Sequence, residues 1–204
     1  MQEFFERCPA RIVSITGTRG RGAVVGLVAA IFEEAGRRVW RLDAANQLPA
    51  LGRIKPIDLV VLELSAQALT GLDTSPTLAV CTGIATADLA GSKTALAAMG
   101  NLFWRQQPAD VAVYQADNEY AAQIAELSPG QKIPAGRAPG AQVQDGNVVI
   151  DGAVICSLSE AGLNKSEDRA VVLVAVTAAW QLVNNRHEAV RRAVLAYRSD
   201  SHER

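Results

Sequence analysis

The sequence predicts an α/β fold in three layers, with helices on both faces of a mostly parallel sheet. Short runs of consecutive apolar residues alternate with helical patterns along the 204-residue chain, and the clearest runs occupy 57–64, 77–82 and 110–115. Strands of a parallel sheet have this composition because helices cover both of their surfaces. In addition, a glycine-rich turn at 17–23 joins the first apolar run to a long helical pattern. A strand, a glycine-rich turn and a helix in this order are typical of nucleotide-binding α/β folds.

Five segments have helical patterns, and they alternate with the apolar runs. Ser166 is the predicted N-cap of the fourth helix, because serine at this position can accept a backbone hydrogen bond and acidic residues follow it. The predicted helices span about 27–39, 91–104, 118–127, 166–183 and 186–198.

The segment 142–158 has a different pattern, with Asp-Gly pairs at 145–146 and 151–152 between short β-rich runs. Asp-Gly suits the positive φ angles of tight hairpin turns. We therefore expect a small antiparallel meander at the edge of the sheet. The preceding segment, 128–142, contains three prolines and three glycines and is expected to be mostly loop.

Composition excludes several classes of protein. The 20 Lys and Arg nearly balance the 21 Asp and Glu, so no bulk attraction to nucleic acid or to an anionic membrane is predicted. The three cysteines are far apart, and Cys81 and Cys156 lie in apolar runs, which is typical of buried thiols. The sequence shows no signal peptide and no run long enough to span a membrane. These observations predict one cytoplasmic domain over 1–204.

The turn at 17–23 has the backbone of a phosphate-binding loop. Its glycines let the chain approach an anion, and the following helix presents unpaired N–H groups. A complete ATP loop also has a lysine for the outer phosphates, followed by a serine or threonine that ligates magnesium. Arg21 and Gly22 occupy those two positions, and Ala23 follows. The candidate nucleotide- or anion-binding residues are Gly17, Thr18, Arg19, Gly20, Arg21, Gly22 and Ala23.

A second interpretation of the same glycines is a dinucleotide site. Gly17, Gly20 and Gly22 form a G-x-x-G-x-G pattern, and Asp43 follows the next apolar run, where a Rossmann-like fold places its ribose-binding carboxylate. No tyrosine in the chain is followed four residues later by lysine, as a short-chain reductase requires. This alternative is therefore a dinucleotide-binding protein without visible hydride chemistry.

Six segments in order along nearly the whole chain carry a family resemblance. They are FFERCPARIVSITGTRGRG (4–22), NQLPAL (46–51), VVLELSAQAL (60–69), YQADNEYA (114–121), VTAAWQL (176–182) and SHER (201–204). Together they resemble the central ATPase domain of the Mur ligase family, in particular its D-glutamate-adding branch. The resemblance implies ATP and magnesium as cofactors and ATP-dependent joining of a carboxylate to an amine in peptidoglycan precursor synthesis. It also implies an N-terminal UDP-binding domain and a C-terminal amino-acid-binding domain, and we expect the chain to lack both.

The family's metal-binding motifs are only partly matched. The resemblance places the magnesium-ligating glutamate of the motif E-L-S-S-F-Q-L at Glu63. Two alternatives for Glu63 stay open, because this carboxylate either ligates a metal or only pairs with Arg19 or Arg21 or faces solvent.

The other functional motifs of the family have diverged further. The resemblance places the metal-binding histidine near Asp88, the carbamylated lysine near Met99 and the adenine-contacting segment at 162–170. The chain has two histidines, His187 and His202, and neither falls in these motifs. His202 belongs to the terminal SHER and is expected to be solvated.

Independent losses at the turn and at the second metal site predict a catalytically inactive pseudoenzyme that acts as a binding or assembly module. Its expected partner is an unidentified protein or a second copy of the chain, with no certain cofactor. The alternative is an ATP-dependent D-glutamate ligase module that works with separate subunits. That alternative requires Arg21 and Glu63 still to hold ATP and magnesium.

Overall fold

A six-stranded parallel sheet forms the centre of the fold in a computed structural model, which describes residues 1–89, 93–183 and 186–197. The strands lie in the order β2-β3-β1-β4-β5-β6, and every neighbouring pair is parallel. Their bounds are β1 (Arg11–Thr16), β2 (Val39–Leu42), β3 (Leu59–Glu63), β4 (Leu78–Cys81), β5 (Val111–Gln115) and β6 (Gln131–Ala135).

Helices cover both faces of this sheet. The first face carries α2 (Arg21–Glu34), α8 (Ser166–Trp180) and α9 (His187–Ala196), whose apolar residues share one core with the sheet. A second core on the opposite face receives residues from the shorter helices. These are α1 (Gln2–Arg7), α3 (Gln47–Ala50), α4 (Ala66–Leu69), α5 (Thr86–Leu89), α6 (Lys93–Gly100) and α7 (Glu119–Ala125), with a 3₁₀ turn at Leu51–Arg53. The predicted three-layer α/β fold is confirmed.

The central strands explain the continuous apolar runs of the sequence. In β3, Leu59 and Val61 point into the first core, and Val60 and Leu62 point into the second. Successive strand residues face opposite sides of a sheet, so a strand between two helical layers must be apolar at every position.

The predicted antiparallel meander is present, with β7 (Gln142–Gln144), β8 (Asn147–Ile150) and β9 (Ala153–Ser157). Both Asp-Gly turns have positive φ at each residue, between 49° and 75°. Its predicted position at the edge of the main sheet is wrong, because the three strands form a separate sheet. Val148, Ile150 and Ile155 of this small sheet pack into the first core, so it lies over the side of α8 and α9.

One strand was not predicted, and one boundary prediction is wrong. The segment 128–142 contains an unpredicted strand, β6, which includes Pro134. Proline is tolerated there because β6 is an edge strand that pairs only with β5. At the start of α8, the N-cap is Lys165, and Ser166 is the first helical residue. The Ser166 hydroxyl donates to the Glu167 carboxylate instead of accepting a backbone N–H.

The predicted burial of two cysteines is confirmed. Cys81 and Cys156 are each at most 1% exposed, and burial raises the pKa of both thiols, to about 11 for Cys156. They therefore stay protonated at neutral pH and act as small apolar side chains. In the part of the chain that the structure describes, none of the helices has the length and apolar character that crossing a bilayer requires.

Candidate functional site

The glycine-rich turn at 17–23 lies at the carboxyl edge of the sheet, between β1 and α2. Gly17 has a φ of 127°, and Gly20, the residue before α2, has a φ of 67°. Residues with a side chain rarely adopt these left-handed backbone conformations. A Cβ atom at Gly17 would also lie 2.1 Å from Oγ1 of Thr82, which is far inside a normal contact. The shape of the turn therefore depends on these two glycines.

The first half of the turn is held by the segment that follows β4. The backbone N–H groups of Thr18 and Arg19 both donate to the carbonyl oxygen of Gly83, at 3.0 and 2.8 Å. The hydroxyl oxygen of Thr18 accepts the N–H of Ala85 at 2.9 Å. The N–H groups of Thr18 and Arg19 are therefore already hydrogen-bonded within the protein. The Thr18 side chain connects the turn to the segment after β4.

The second half of the turn leaves N–H groups available at the start of α2. The first hydrogen bond within this helix runs from the N–H of Val24 to the carbonyl oxygen of Gly20, at 2.9 Å. The helix therefore provides no acceptor for the N–H groups of Arg21, Gly22 and Ala23. Helix starts of this kind attract anions through these N–H groups and through the helix dipole.

Arg21 folds back onto its own loop. Its Nε donates to Oε1 of Glu63 at 2.8 Å, and its Nη1 donates to the carbonyl oxygen of Gly17 at 2.8 Å. The two side chains of the ion pair are 27% and 32% exposed, so solvent screens the attraction and the pair contributes about 0–1 kcal/mol to stability. Of the partners considered for Glu63, Arg21 is the observed one.

The residues around the turn do not fit a magnesium ion. Magnesium requires oxygen ligands in a near-octahedral arrangement. The Glu63 carboxylate is engaged by Arg21, and the two helix positions after Arg21 have no side-chain oxygen. Asp88 is exposed in α5, and Met99 is buried in the second core. Within residues 1–89, 93–183 and 186–197, no three His, Cys, Asp or Glu side chains are grouped to hold a metal.

A cleft of about 560 Å³ opens beside the turn. Its walls are Arg19 and Gly20, the segments 82–86 and 115–118 that follow β4 and β5, and the N-terminal half of α8. Parallel sheets bind ligands at this carboxyl edge, and the volume is in the range of small-molecule sites. The cleft was not predicted from the sequence, although both of these segments directly follow predicted strands.

Most polar side chains in this cleft already have partners within the protein. Asn118 caps the N-terminus of α7 and donates to the carbonyl oxygen of Ile84 at 3.0 Å. Gln115 donates to Asp117 at 2.7 Å. Thr82 differs, because it is 2% exposed and its hydroxyl has no hydrogen-bond partner among the residues that the structure describes. The Thr82 hydroxyl is therefore a buried polar group behind the surface of the cleft.

The α8 side of the cleft carries a negative charge. The backbone N–H of Glu167 at the helix start and the hydroxyl of Ser166 lower the pKa of the Glu167 carboxyl, and Arg19 adds a smaller attraction. Because the pKa is lowered, this carboxylate stays ionised at neutral pH. An anion in the cleft would therefore meet repulsion from Glu167.

The strand order contradicts the dinucleotide alternative. A Rossmann-like fold has the order 3-2-1-4-5-6, with its second strand beside the first. Here β3 lies between β2 and β1, so Asp43 after β2 is two strands away from the glycine-rich turn. The Asp43 carboxylate instead accepts the N–H groups of Ala45 and Asn46, at 2.8 and 3.1 Å, within its own turn.

The remaining candidate positions lie away from the turn. His187 is exposed at the start of α9, and its ring packs edge-on against Trp180 with 4.9 Å between centroids. His202 and the rest of SHER lie outside the described residues. The segment 162–170 contains the residues before α8 and its first turn, where it provides Glu167 to the cleft.

Thr18→Val is expected to lower the free energy of unfolding by about 1–2 kcal/mol, because the N–H of Ala85 loses its acceptor in a buried position. Urea denaturation followed by circular dichroism measures the change. Thr70→Val is the matched control, because the Thr70 hydroxyl bonds at an exposed position and its loss should cost less than about 0.5 kcal/mol. Equal losses in both variants would contradict the structural role of Thr18.

Curated relatives with similar sequence are ligases of one kind. The chain is 31% identical over 172 residues to UDP-N-acetylmuramoylalanine–D-glutamate ligase of Acetivibrio thermocellus, covering 79% of this chain and 37% of that protein. The ligases of the same name from Clostridium acetobutylicum and Clostridium kluyveri are 29% and 28% identical, covering 77% and 90% of this chain. The chain spans 36–42% of the length of these three relatives. No protein-family profile matches the sequence.

Solved structures of similar fold are related ligases. The structure of UDP-N-acetylmuramoyl-L-alanyl-D-glutamate–2,6-diaminopimelate ligase has a TM-score of 0.72 at 18% identity, covering 97% of this chain and 48% of that chain. A D-alanyl-D-alanyl-adding ligase from Acinetobacter baumannii has a TM-score of 0.71 at 13% identity, covering 96% and 48%. At these identities the similarity shows a shared fold.

Proposed function

Because this chain is a domain of the Mur ligase family, we propose that it is a catalytically inactive relative of the ligases of peptidoglycan precursor synthesis. In this proposal it acts in the cytoplasm as a binding or assembly module for a protein partner or a second copy of itself. The retained fold supports a scaffold role, since the apolar strands, the turns and both cores are mutually consistent.

The Arg21–Glu63 ion pair is the observation that carries this proposal. Phosphoryl transfer from ATP requires positive charge on the outer phosphates and a metal held beside them. In this chain Arg21 occupies the lysine position. Its guanidinium pairs with the Glu63 carboxylate, and its Nη1 donates to the carbonyl oxygen of Gly17. The same contact removes the carboxylate that would hold the metal. In this proposal, one interaction therefore engages both groups that an ATP site would need.

ATP with magnesium is expected to give no saturable heat in calorimetry and no thermal shift at about 1 mM nucleotide, a concentration at which a functional site would be occupied. The titration uses the whole chain, with NADH and NADPH as parallel ligands. A micromolar dissociation constant for ATP would contradict the proposal and favour the ligase alternative. Tighter binding of a dinucleotide than of ATP would contradict both the proposed pseudoenzyme and the ligase alternative.

An ATP-dependent D-glutamate ligase module that works with separate subunits is the second candidate. Two observations favour it, namely the free N–H groups at the start of α2 and the adjoining cleft of about 560 Å³. It requires Arg21 to leave Glu63 when a nucleotide arrives. Hydrolysis of ATP that depends on added subunits and substrates would establish this candidate.

A further inference from the structure

The strand β2 is an open edge of the main sheet. It pairs only with β3, and the carbonyl oxygen of Arg38, just before β2, accepts the N–H of Leu59 at 2.9 Å. Because successive strand residues turn their backbone groups to opposite sides, the N–H and C=O groups of Val39 and Arg41 point away from β3. The opposite edge, β6, includes Pro134, which has no N–H to offer. β2 is therefore the edge that is better suited to pairing with a further strand.

A group of cations lies beside this edge. The guanidinium groups of Arg38 and Arg53 are both over the ring of Trp40, with their central carbons 4.9 and 5.2 Å from its centroid. Arg37 donates at 2.7 Å to a backbone carbonyl oxygen two residues before β3, and Lys55 belongs to the same turn. Within the described ranges, none of these four cations forms an ion pair with a carboxylate. We call the outward backbone of β2 and the four cations the β2 edge surface.

Asp58 fixes the position of this group. It is buried, and its Oδ2 accepts the backbone N–H of Lys55 at 3.0 Å and the indole N–H of Trp40 at 2.8 Å. These two hydrogen bonds lower the pKa of the Asp58 carboxyl, and Arg38 and Lys55 add smaller attractions. The Asp58 carboxylate is thus used inside the protein, whereas Arg38, Arg53 and Lys55 are exposed. The outer surface therefore keeps a positive charge.

We propose that the β2 edge surface binds an acidic segment of a partner protein, which adds to β2 as a further strand. This inference rests on the proposed binding-module function and assigns it a surface and a class of partner. Trp40 packs on the side of the second core and Val39 on the side of the first. A strand beside β2 likewise turns alternate side chains to the two faces. Its acids on the Trp40 side would pair with Arg38 and Arg53.

A second copy of the chain and a nucleic acid fit this surface less well. Two β2 strands side by side would bring Arg37, Arg38 and Arg41 close to the same residues of the other copy, and like charges repel. Single-stranded nucleic acids gain affinity by stacking bases on aromatic rings. The ring of Trp40 is already in contact with two guanidinium groups. An acidic strand needs only the backbone edge and the cations.

The test is a titration of the whole chain with a seven-residue peptide of alternating glutamate and valine, acetylated and amidated at its ends. We expect a dissociation constant on the order of 0.1 mM at about 50 mM salt, weakened at least ~5-fold at about 300 mM salt, because salt screens the pairing. The same peptide with glutamine in place of glutamate is the neutral control and should bind at least ~10-fold more weakly. Bound acidic peptide should also slow hydrogen exchange of the Val39 and Arg41 amides, which an electrostatic contact alone leaves unprotected.

Two variants separate the charges from the backbone edge. Arg38→Gln/Arg53→Gln should raise the dissociation constant at least ~10-fold, because it removes two of the cations. Val39→Pro should raise it as much with every cation in place, because an outward N–H is lost at the start of an edge strand, where proline is accepted. Arg105→Gln is the matched control, since Arg105 also lies over a tryptophan ring, 4.1 Å from the centroid of Trp104, but precedes β5. It should leave the affinity unchanged.

The proposal is overturned if the acidic peptide does not bind at about 1 mM and low salt, or binds no better than the neutral peptide. It is also overturned if the affinity survives either variant, or if the Val39 and Arg41 amides exchange at unchanged rates in saturating peptide. The exchange measurement uses the wild-type chain, so it decides the matter even if Val39→Pro does not fold. Tighter binding of an eight-nucleotide oligothymidylate than of the acidic peptide would overturn it in favour of nucleic acid.

The outcome is separate from the test of catalytic inactivity. β2 begins at the amino edge of the sheet, and the glycine-rich turn and the cleft lie at the carboxyl edge. Failure of the peptide to bind would leave the ATP titration to decide on the pseudoenzyme. Binding of ATP would contradict the pseudoenzyme without affecting the peptide. The two failures are therefore distinguishable.

Discussion

The double variant Arg21→Lys/Gly22→Ser is expected to bind ATP with magnesium roughly 100-fold more tightly than the wild-type chain, or ~2.7 kcal/mol. Lysine is a compact cation with three donors, so it can reach a phosphate where the arginine fork is held by Glu63 and Gly17. Serine at the next position restores a hydroxyl ligand for magnesium. A Cβ atom at Gly22 meets only Oε2 of Glu63, at 4.0 Å, so the new side chain fits beside that carboxylate. Calorimetric titration with and without magnesium measures the gain.

Arg21→Ala is the control for this gain. It frees the Glu63 carboxylate but adds neither a cation nor a hydroxyl, and it should bind ATP no better than the wild-type chain. If the double variant also shows no gain, the Arg21–Glu63 pair is not what prevents binding, and the proposal loses the observation that carries it. A gain that is independent of magnesium would show that charge alone was missing.

The main elements of the fold could be predicted because burial on two faces leaves a clear pattern. The strands β3, β4 and β5 each fall within a predicted apolar run, and the meander follows from its two Asp-Gly turns. β6 was missed because its sequence, QKIPA, contains a proline and lies in a segment rich in glycine and proline. Only its position at the edge of the sheet makes the proline acceptable, and a single sequence does not reveal which strand is at an edge.

The local part of the candidate site could be predicted directly, whereas the Arg21–Glu63 pair was only one of several open alternatives for Glu63. The turn at 17–23 is a continuous motif, and its glycines have the expected backbone conformations. The partner of Arg21 is 42 residues away and depends on β1 and β3 being neighbours, with Ile15 opposite Glu63. The strand order also decided against the dinucleotide alternative.

Two glycines of the same region should respond to alanine in opposite directions. Gly17→Ala is expected to lower the free energy of unfolding by about 2–4 kcal/mol, because alanine is strained at a φ of 127° and its Cβ would overlap Oγ1 of Thr82. Gly26→Ala should raise the free energy of unfolding by roughly 0.5–1 kcal/mol, because Gly26 lies inside α2 with open space beside it. Urea denaturation of both variants against the wild-type chain measures these changes.

The comparison isolates the backbone conformation and the surroundings of each glycine, because both variants add the same methyl group. Their denaturation slopes should match that of the wild-type chain, since neither change alters the surface that unfolding exposes. If Gly17→Ala were as stable as the wild-type chain, Thr82 and the turn would have to move apart easily. In that case the turn would not hold Thr18 and Arg19 against Gly83, and the first half of the loop would have N–H groups available for an anion after all.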